Sequence, residues 1–336
     1  MRSLSGARAL TGRAALALLA GLITLTGCSH DGGGASSSHG HGPGPAAAPH
    51  ARDPVSALRS GLTGRRGNVF YVSLGDSLSQ GVQPDLAGRD VATRRGYPDL
   101  LAAELRRHLP HLKLVKLGCS GETTATMIHG GICRYPAGSQ LAQAAAFLRA
   151  HRGRTALVTI DIGANDPNSC LTNGGLAKLL PCVVASLPRI GTNLTRIMST
   201  LRRAAGQRVV IVGMTYYVPE LGLWRRGTVG RQVGILTGAV AAGANKMLSD
   251  RYRGFGARVA NVFAAFRSSD FGDKNGHAHS RSREPGTMPP NVATICELTW
   301  MCATPPRGPD EHANDAGYQV IARSFWRAIA GPARGT

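Results

Sequence analysis

Short apolar runs recur at intervals along the chain and alternate with longer stretches of a different period, and this alternation restricts the possible folds more than any other feature. The runs are 68–74 (NVFYVSL), which is β-branched and aromatic, and the similar 112–117, 156–160, 209–212 and 258–262, all too short for a helix. Between them, apolar residues follow three-four spacing: Leu100, Leu101, Leu105 and Leu109; Leu141, Ala144, Ala145 and Leu148; Leu187, Ile190, Leu194, Ile197 and Leu201. A further helix is expected over 233–252, and a last one from Asp315 through Tyr318, Ile321 and Phe325. Strands alternating with helices predict an α/β chain: a central, mainly parallel five-stranded sheet in a three-layer α/β/α sandwich. Ligands then belong at the carboxyl ends of the strands.

No internal repeat and no linker follow residue 66, so residues 66–334 read as one domain. The segments 165–184 and 263–311 are expected as loop excursions. Hydrophobic residues at 43% and charged residues at 17% are ordinary for a globular chain. The net charge of +20 admits an anionic membrane, a wall polymer or a mere excess of arginine. No basic run is interleaved with aromatics, so nucleic acid is not an expected partner.

The N-terminus carries Arg2, Arg8 and Arg13 with no acid, followed by an apolar stretch over 14–25, interrupted only by Gly21 and Thr24. That stretch is too short to span a bilayer and suits the core of a signal peptide over 1–27. It ends in Leu25-Thr26-Gly27-Cys28, which resembles the lipobox of bacterial lipoproteins. The resemblance implies acylation of Cys28, an extracellular protein and anchorage to the outer face of the membrane; an ordinary cleaved signal with an incidental Cys28 is the alternative. Residues 28–65, rich in Gly, Ser, His and Pro, read as a disordered tether. Its His30, His39, His41 and His50 have no cysteine or acid pattern around them, so no metal site is expected.

Six further cysteines fall into three local couples, Cys119 with Cys133, Cys170 with Cys182 and Cys296 with Cys302, each placed in a Gly- or Pro-rich loop. An even number in an exported chain suggests disulfides, and pairing in sequence order is expected. A zinc site competes, but no CxxC or HxxxH spacing supports it.

Four polar blocks follow the strands or lie late in the chain. The first, Gly75-Asp76-Ser77-Leu78-Ser79-Gln80-Gly81, is a small-residue turn that offers Ser77 as a nucleophile. It is not the GxSxG elbow, because Ser79 stands where that motif has its second glycine. The others are Leu117-Gly118-Cys119-Ser120-Gly121-Glu122-Thr123-Thr124, Asp161-Ile162-Gly163-Ala164-Asn165-Asp166 and Pro309-Asp310-Glu311-His312-Ala313. Each alone could be a turn, a cap or a structural histidine. In this order the four blocks resemble those of the SGNH (GDSL-type) hydrolases, of the actinobacterial secreted type, and the resemblance spans residues 75–312.

That resemblance implies a flavodoxin-like SGNH hydrolase fold and a serine esterase or lipase. Ser77 would form an acyl-enzyme, His312 would act as base, and the N–H groups of Ser77 and Gly121 with the Asn165 amide would form the oxyanion hole. The common DxxH spacing is missing, since Pro309 stands three residues before His312 and Ala313 replaces the usual following proline. Either Asp310 or a backbone carbonyl could orient His312. No cofactor is required, a monomer is expected, and the substrate could be a lipid, a short acyl ester or an acetylated glycan. An acyltransferase on wall or lipid substrates and an inactive wall- or lipid-binding lipoprotein are the competing readings.

Overall fold

The computed structural model describes residues 54–63, 67–171, 175–272 and 288–331. The expected signal segment 1–27, Cys28 and the four tether histidines lie outside the described residues. Five parallel strands form the central sheet: β1 Val69–Gly75, β2 Leu112–Lys116, β3 Thr155–Asp161, β4 Val210–Met214 and β5 Arg258–Ala260. Their order is β2-β1-β3-β4-β5, so the chain reverses its direction of winding at β1, and a crevice opens between the ends of β1 and β3.

Period-two alternation along the strands supplies a separate core on each face. Tyr71, Leu157 and Val212 point to one side, where they pack with Tyr97, Leu101, Tyr318 and Phe325. Val72, Val158 and Ile211 point to the other, against Leu141, Leu148, Leu194 and Tyr252. The first face is covered by helices α1 (Tyr97–Arg106) and α7 (Asp315–Ala330), the second by α3 (Gln140–Ala150), α4 (Gly175–Ala205) and α5 (Gly227–Gly254). Between them, α2 (Thr124–His129) follows β2 and α6 (Pro290–Leu298) precedes the last loop. Every residue of β3 is buried, as expected of a strand covered on both sides.

Three expectations need correction. Residues expected in the tether form a helix, Pro54–Arg59, whose Val55 and Leu58 enter the first core; their i, i+3 spacing is what lets one turn reach the sheet layer. The tether boundary therefore lies before residue 54. The excursion expected over 165–184 is largely helical, because α4 begins at Gly175, ahead of the three-four spacing that starts at Leu187, and runs through Pro181. The excursion over 263–311 likewise holds the helices Val262–Ala265 and α6, the latter opened by a proline at its first position.

The disulfides pair in sequence order, Cys119–Cys133, Cys170–Cys182 and Cys296–Cys302, with separations of 14, 12 and 6 residues. Their setting differs from the expected loops, since Cys170, Cys182 and Cys296 sit on helices. Among the described residues no helix is long and apolar enough to cross a membrane.

Candidate active site

β1 ends at Gly75 and the chain turns at once into a four-residue helix, Ser77–Gln80, so Ser77 stands at a helix N-terminus outside the sheet. Asp76 caps that helix by accepting from the Leu78 N–H at 3.0 Å. Ser79 is buried and donates its hydroxyl to the Asp76 carbonyl at 2.7 Å, which accounts for a serine where the elbow motif has glycine. Gly118 of the second block lies directly against it: a Cβ there would fall on Ser79 Oγ. Ser77 itself is half-buried, and among the described residues its side chain makes no hydrogen bond.

The second and third blocks are fastened to each other around this turn. Gly121 is exposed with φ +78°, a conformation that favours glycine, and its Cα faces open space. Asn165 donates its amide to the Glu122 carbonyl at 3.1 Å, so it lies beside the Gly121 turn. Asp166 accepts from both the backbone N–H and the hydroxyl of Thr124, at 2.8 and 2.5 Å, and ties the third block to the first residue of α2. Asn165 and Asp166 therefore connect two loops, beyond forming their own turn.

Sequence reasoning missed the supports beneath the turn. Gln140, fully buried, accepts from Gly75 N at 2.7 Å and donates to Gly75 O at 3.0 Å and to Glu122 Oε2 at 2.9 Å. Tyr216 donates to Asp76 Oδ2 at 2.8 Å, and Tyr97 to Asp161 Oδ1 at 2.5 Å. Asp76 and Asp161 form a buried carboxyl pair. Burial raises the pKa of each, and the charge of Asp76 pushes Asp161 further up. The one available sequence signal was the position of both acids directly at strand ends; nothing in the sequence marked Gln140 or Tyr216.

His312 lies on the loop before α7, at 5% exposure. Its Nδ1 is 3.0 Å from Asp310 Oδ1, and its backbone N–H donates to the same oxygen at 2.9 Å. Among the described residues Nε2 makes no hydrogen bond. Burial opposes the imidazolium, but the hydrogen bond and charge of Asp310, with Glu311 and Asp90 behind them, outweigh it and hold His312 above its ordinary pKa of 6.5. Burial likewise raises Asp310, but the His312 hydrogen bond and charge bring it below the usual carboxylate value.

Residues from opposite ends of the domain are brought together here by tertiary contacts. The segment after the Ser77 turn is bonded to the histidine region, with Gln83 donating to Asp315 at 2.8 Å and accepting from Trp300 Nε1 at 3.2 Å, and Tyr318 donating to Val82 O at 2.8 Å. No hydrogen bond joins Ser77 to His312 among the described residues, although the charge of His312 bears on Asp76 next to Ser77. The arrangement offers a hydroxyl at a helix N-terminus, a histidine ordered by a carboxylate, and amide donors from two neighbouring loops. These are the requirements of acyl transfer through a serine.

Residues 73–320 match the family model described as the GDSL-like lipase/acylhydrolase family. No curated protein matches the sequence. Among solved structures, the extracellular lipase of Streptomyces rimosus is similar in fold with a TM-score of 0.50 at 18% identity, over 77% of this chain and 99% of its own. Phospholipase A1 of Streptomyces albidoflavus gives 0.48 at 18% identity, over 78% and 100% of the two chains. An acetylxylan esterase of Geobacillus stearothermophilus gives 0.46 at 18%, over 78% and 95%.

Proposed function

Since the chain belongs to the GDSL-like lipase/acylhydrolase family and is a carboxylic ester hydrolase, we propose that it cleaves its ester through an acyl-enzyme on Ser77 with His312 as the base. The observation that carries this reading is the Asp310 carboxylate on His312 Nδ1 at 3.0 Å, which fixes the tautomer and leaves Nε2 to take a proton. Ser77 Oγ attacks the ester carbonyl, and its proton passes to Nε2. The negative oxygen of the tetrahedral intermediate is held by the N–H groups of Ser77 and Gly121 and by the Asn165 amide. His312 then returns the proton to the departing alkoxide, and water repeats the sequence to release the acid. Asp310 orients the imidazole and stabilises its charged form.

The protein acts outside the cell, held to the outer membrane face by an acylated Cys28. The test is hydrolysis of short- and long-chain p-nitrophenyl esters by wild type and Ser77→Ala, with a fluorophosphonate probe. Turnover and labelling that vanish together in Ser77→Ala support the reading. Undiminished turnover by Ser77→Ala refutes it.

A further inference from the structure

The chain between Gly81 and Thr93 leaves the domain as a short antiparallel ribbon, Gln83–Pro84 against Asp90–Val91. Both of its feet are held, since Thr93 donates its hydroxyl to Gly81 O at 2.7 Å and Lys116 Nζ donates to Gln80 O and Thr93 O, each at 3.2 Å. Its tip is closed by Asp85, which accepts from Ala87 N at 2.8 Å, from Arg89 N at 3.0 Å and from the Arg89 guanidinium at 2.8 and 2.9 Å. Gln83, bonded to both Trp300 and Asp315, sets the ribbon against the loop that carries His312. These bonds hold the ribbon that carries Asp90.

Asp90 Oδ1 lies 3.7 Å from His312 Nδ1, the nitrogen that Asp310 already engages at 3.0 Å. Asp310 side-chain exposure is 16%, that of Asp90 50%. We propose that Asp90 is a second positioning carboxylate for His312, a reserve partner whose charge supports the imidazole that Asp310 bonds and sustains catalysis when Asp310 is lost. The proposal rests on His312 being the base.

The distances give the two acids unequal roles. Asp310 is close enough for a hydrogen bond with the ring; Asp90 is beyond that reach and acts through its charge and through its contact with the Asp310 carboxyl. Burial raises the Asp90 pKa against the lowering effect of His312, whereas the hydrogen bond and charge of His312 hold Asp310 low. The other groups whose charge reaches His312 or its partners are Glu311 on its own loop and Asp76 at the nucleophile turn; Tyr217 donates to the Glu311 carbonyl at 2.8 Å. An isolated half-exposed ion pair changes an equilibrium by roughly two- to fivefold, and that is the effect expected here.

The test uses the full chain in EDTA, so that no cation bridges Asp90, Asp310 and His312, whose ligand atoms lie within 4.8 Å of one another. The His312 pKa is followed by NMR, assigned by its loss in His312→Gln, alongside the acid limb of kcat/KM for wild type, Asp90→Asn, Asp310→Asn and the double variant. Asp90→Asn should raise the acid dissociation constant of His312 about two- to fivefold. The acid limb should move to lower pH by the same amount, with unchanged thermal stability, and Asp90→Glu should restore it. Asp310→Asn should retain activity that the double variant loses. An unmoved His312 resonance in Asp90→Asn, or a double variant no worse than Asp310→Asn, overturns the proposal. If the His312 resonance moves and the acid limb does not, His312 is not the base and the parent reading fails.

Discussion

Replacing Gln140 by leucine tests whether the nucleophile turn is held from below. Leucine keeps most of the buried volume and removes the amide. Gly75 O retains the Cys119 N–H at 3.0 Å, so the groups left without their partner are the Gly75 N–H and the Glu122 carboxyl. An orphaned buried N–H costs about 1–3 kcal/mol, and a lost hydrogen bond to an ionisable group about 1.5–3 kcal/mol. The sum, about 2.5–6 kcal/mol, is a large fraction of the 5–15 kcal/mol that typically stabilises a domain. In urea, with m near 3 kcal/mol/M, the midpoint should fall by at least about 0.8 M. Because Gly75 immediately precedes Asp76 and Ser77, kcat for a p-nitrophenyl ester should fall about tenfold or more, equivalent to about 1.4 kcal/mol in the barrier. Gln140→Glu retains the acceptor for Gly75 N–H but places a second carboxyl beside Glu122, so its deficit should shrink in acid. A Gln140→Leu protein within about 1 kcal/mol of wild type and with native kcat would refute the reasoning.

The remaining expectations concern charge, packing and cross-links. The raised His312 pKa places the acid limb of wild-type kcat/KM above pH 6.5, so activity falls as pH drops through that value; a limb below 6.5 contradicts the assignment. Asp161 has its folded pKa raised by burial and by Asp76, so its contribution to stability is full below the unfolded value and is lost as pH rises. Asp161→Asn should therefore flatten the decline in stability from acid to neutral pH, read from denaturation midpoints across that range. Gly118→Ala should cost roughly 1–3 kcal/mol by driving a methyl into Ser79, and Ser79→Gly in the same chain should recover part of the loss. Removing the Cys119–Cys133 bridge, with a separation of 14 residues, should cost about 3 kcal/mol in thermal or urea denaturation.

The five strands were legible because a parallel sheet covered on both faces needs uninterrupted apolar runs, and 68–74 or 156–160 have few other uses. The polar blocks were legible because they stand at strand ends, where Ser77, Gly121 and Asn165 are found. The helix at Pro54–Arg59 was missed because it presents only two apolar side chains, Val55 and Leu58, within a polar stretch. The first half of α4 was missed because the three-four spacing begins only at Leu187 and Pro181 counts as a breaker in a local reading. Gln140, Tyr216 and Asp90 stayed hidden for a different reason: each acts on a partner 65, 140 or 222 residues away, and no local pattern encodes such a pairing.

The helix Pro54–Arg59 and α7 share one core, so the folded part closes upon its own two ends. A ribosome or translocon delivers Ser77 early and His312 only with the last stretch of chain. With Ser77 and His312 in the proposed roles, the pair consequently cannot assemble on a nascent polypeptide, whatever structure its leading segments adopt.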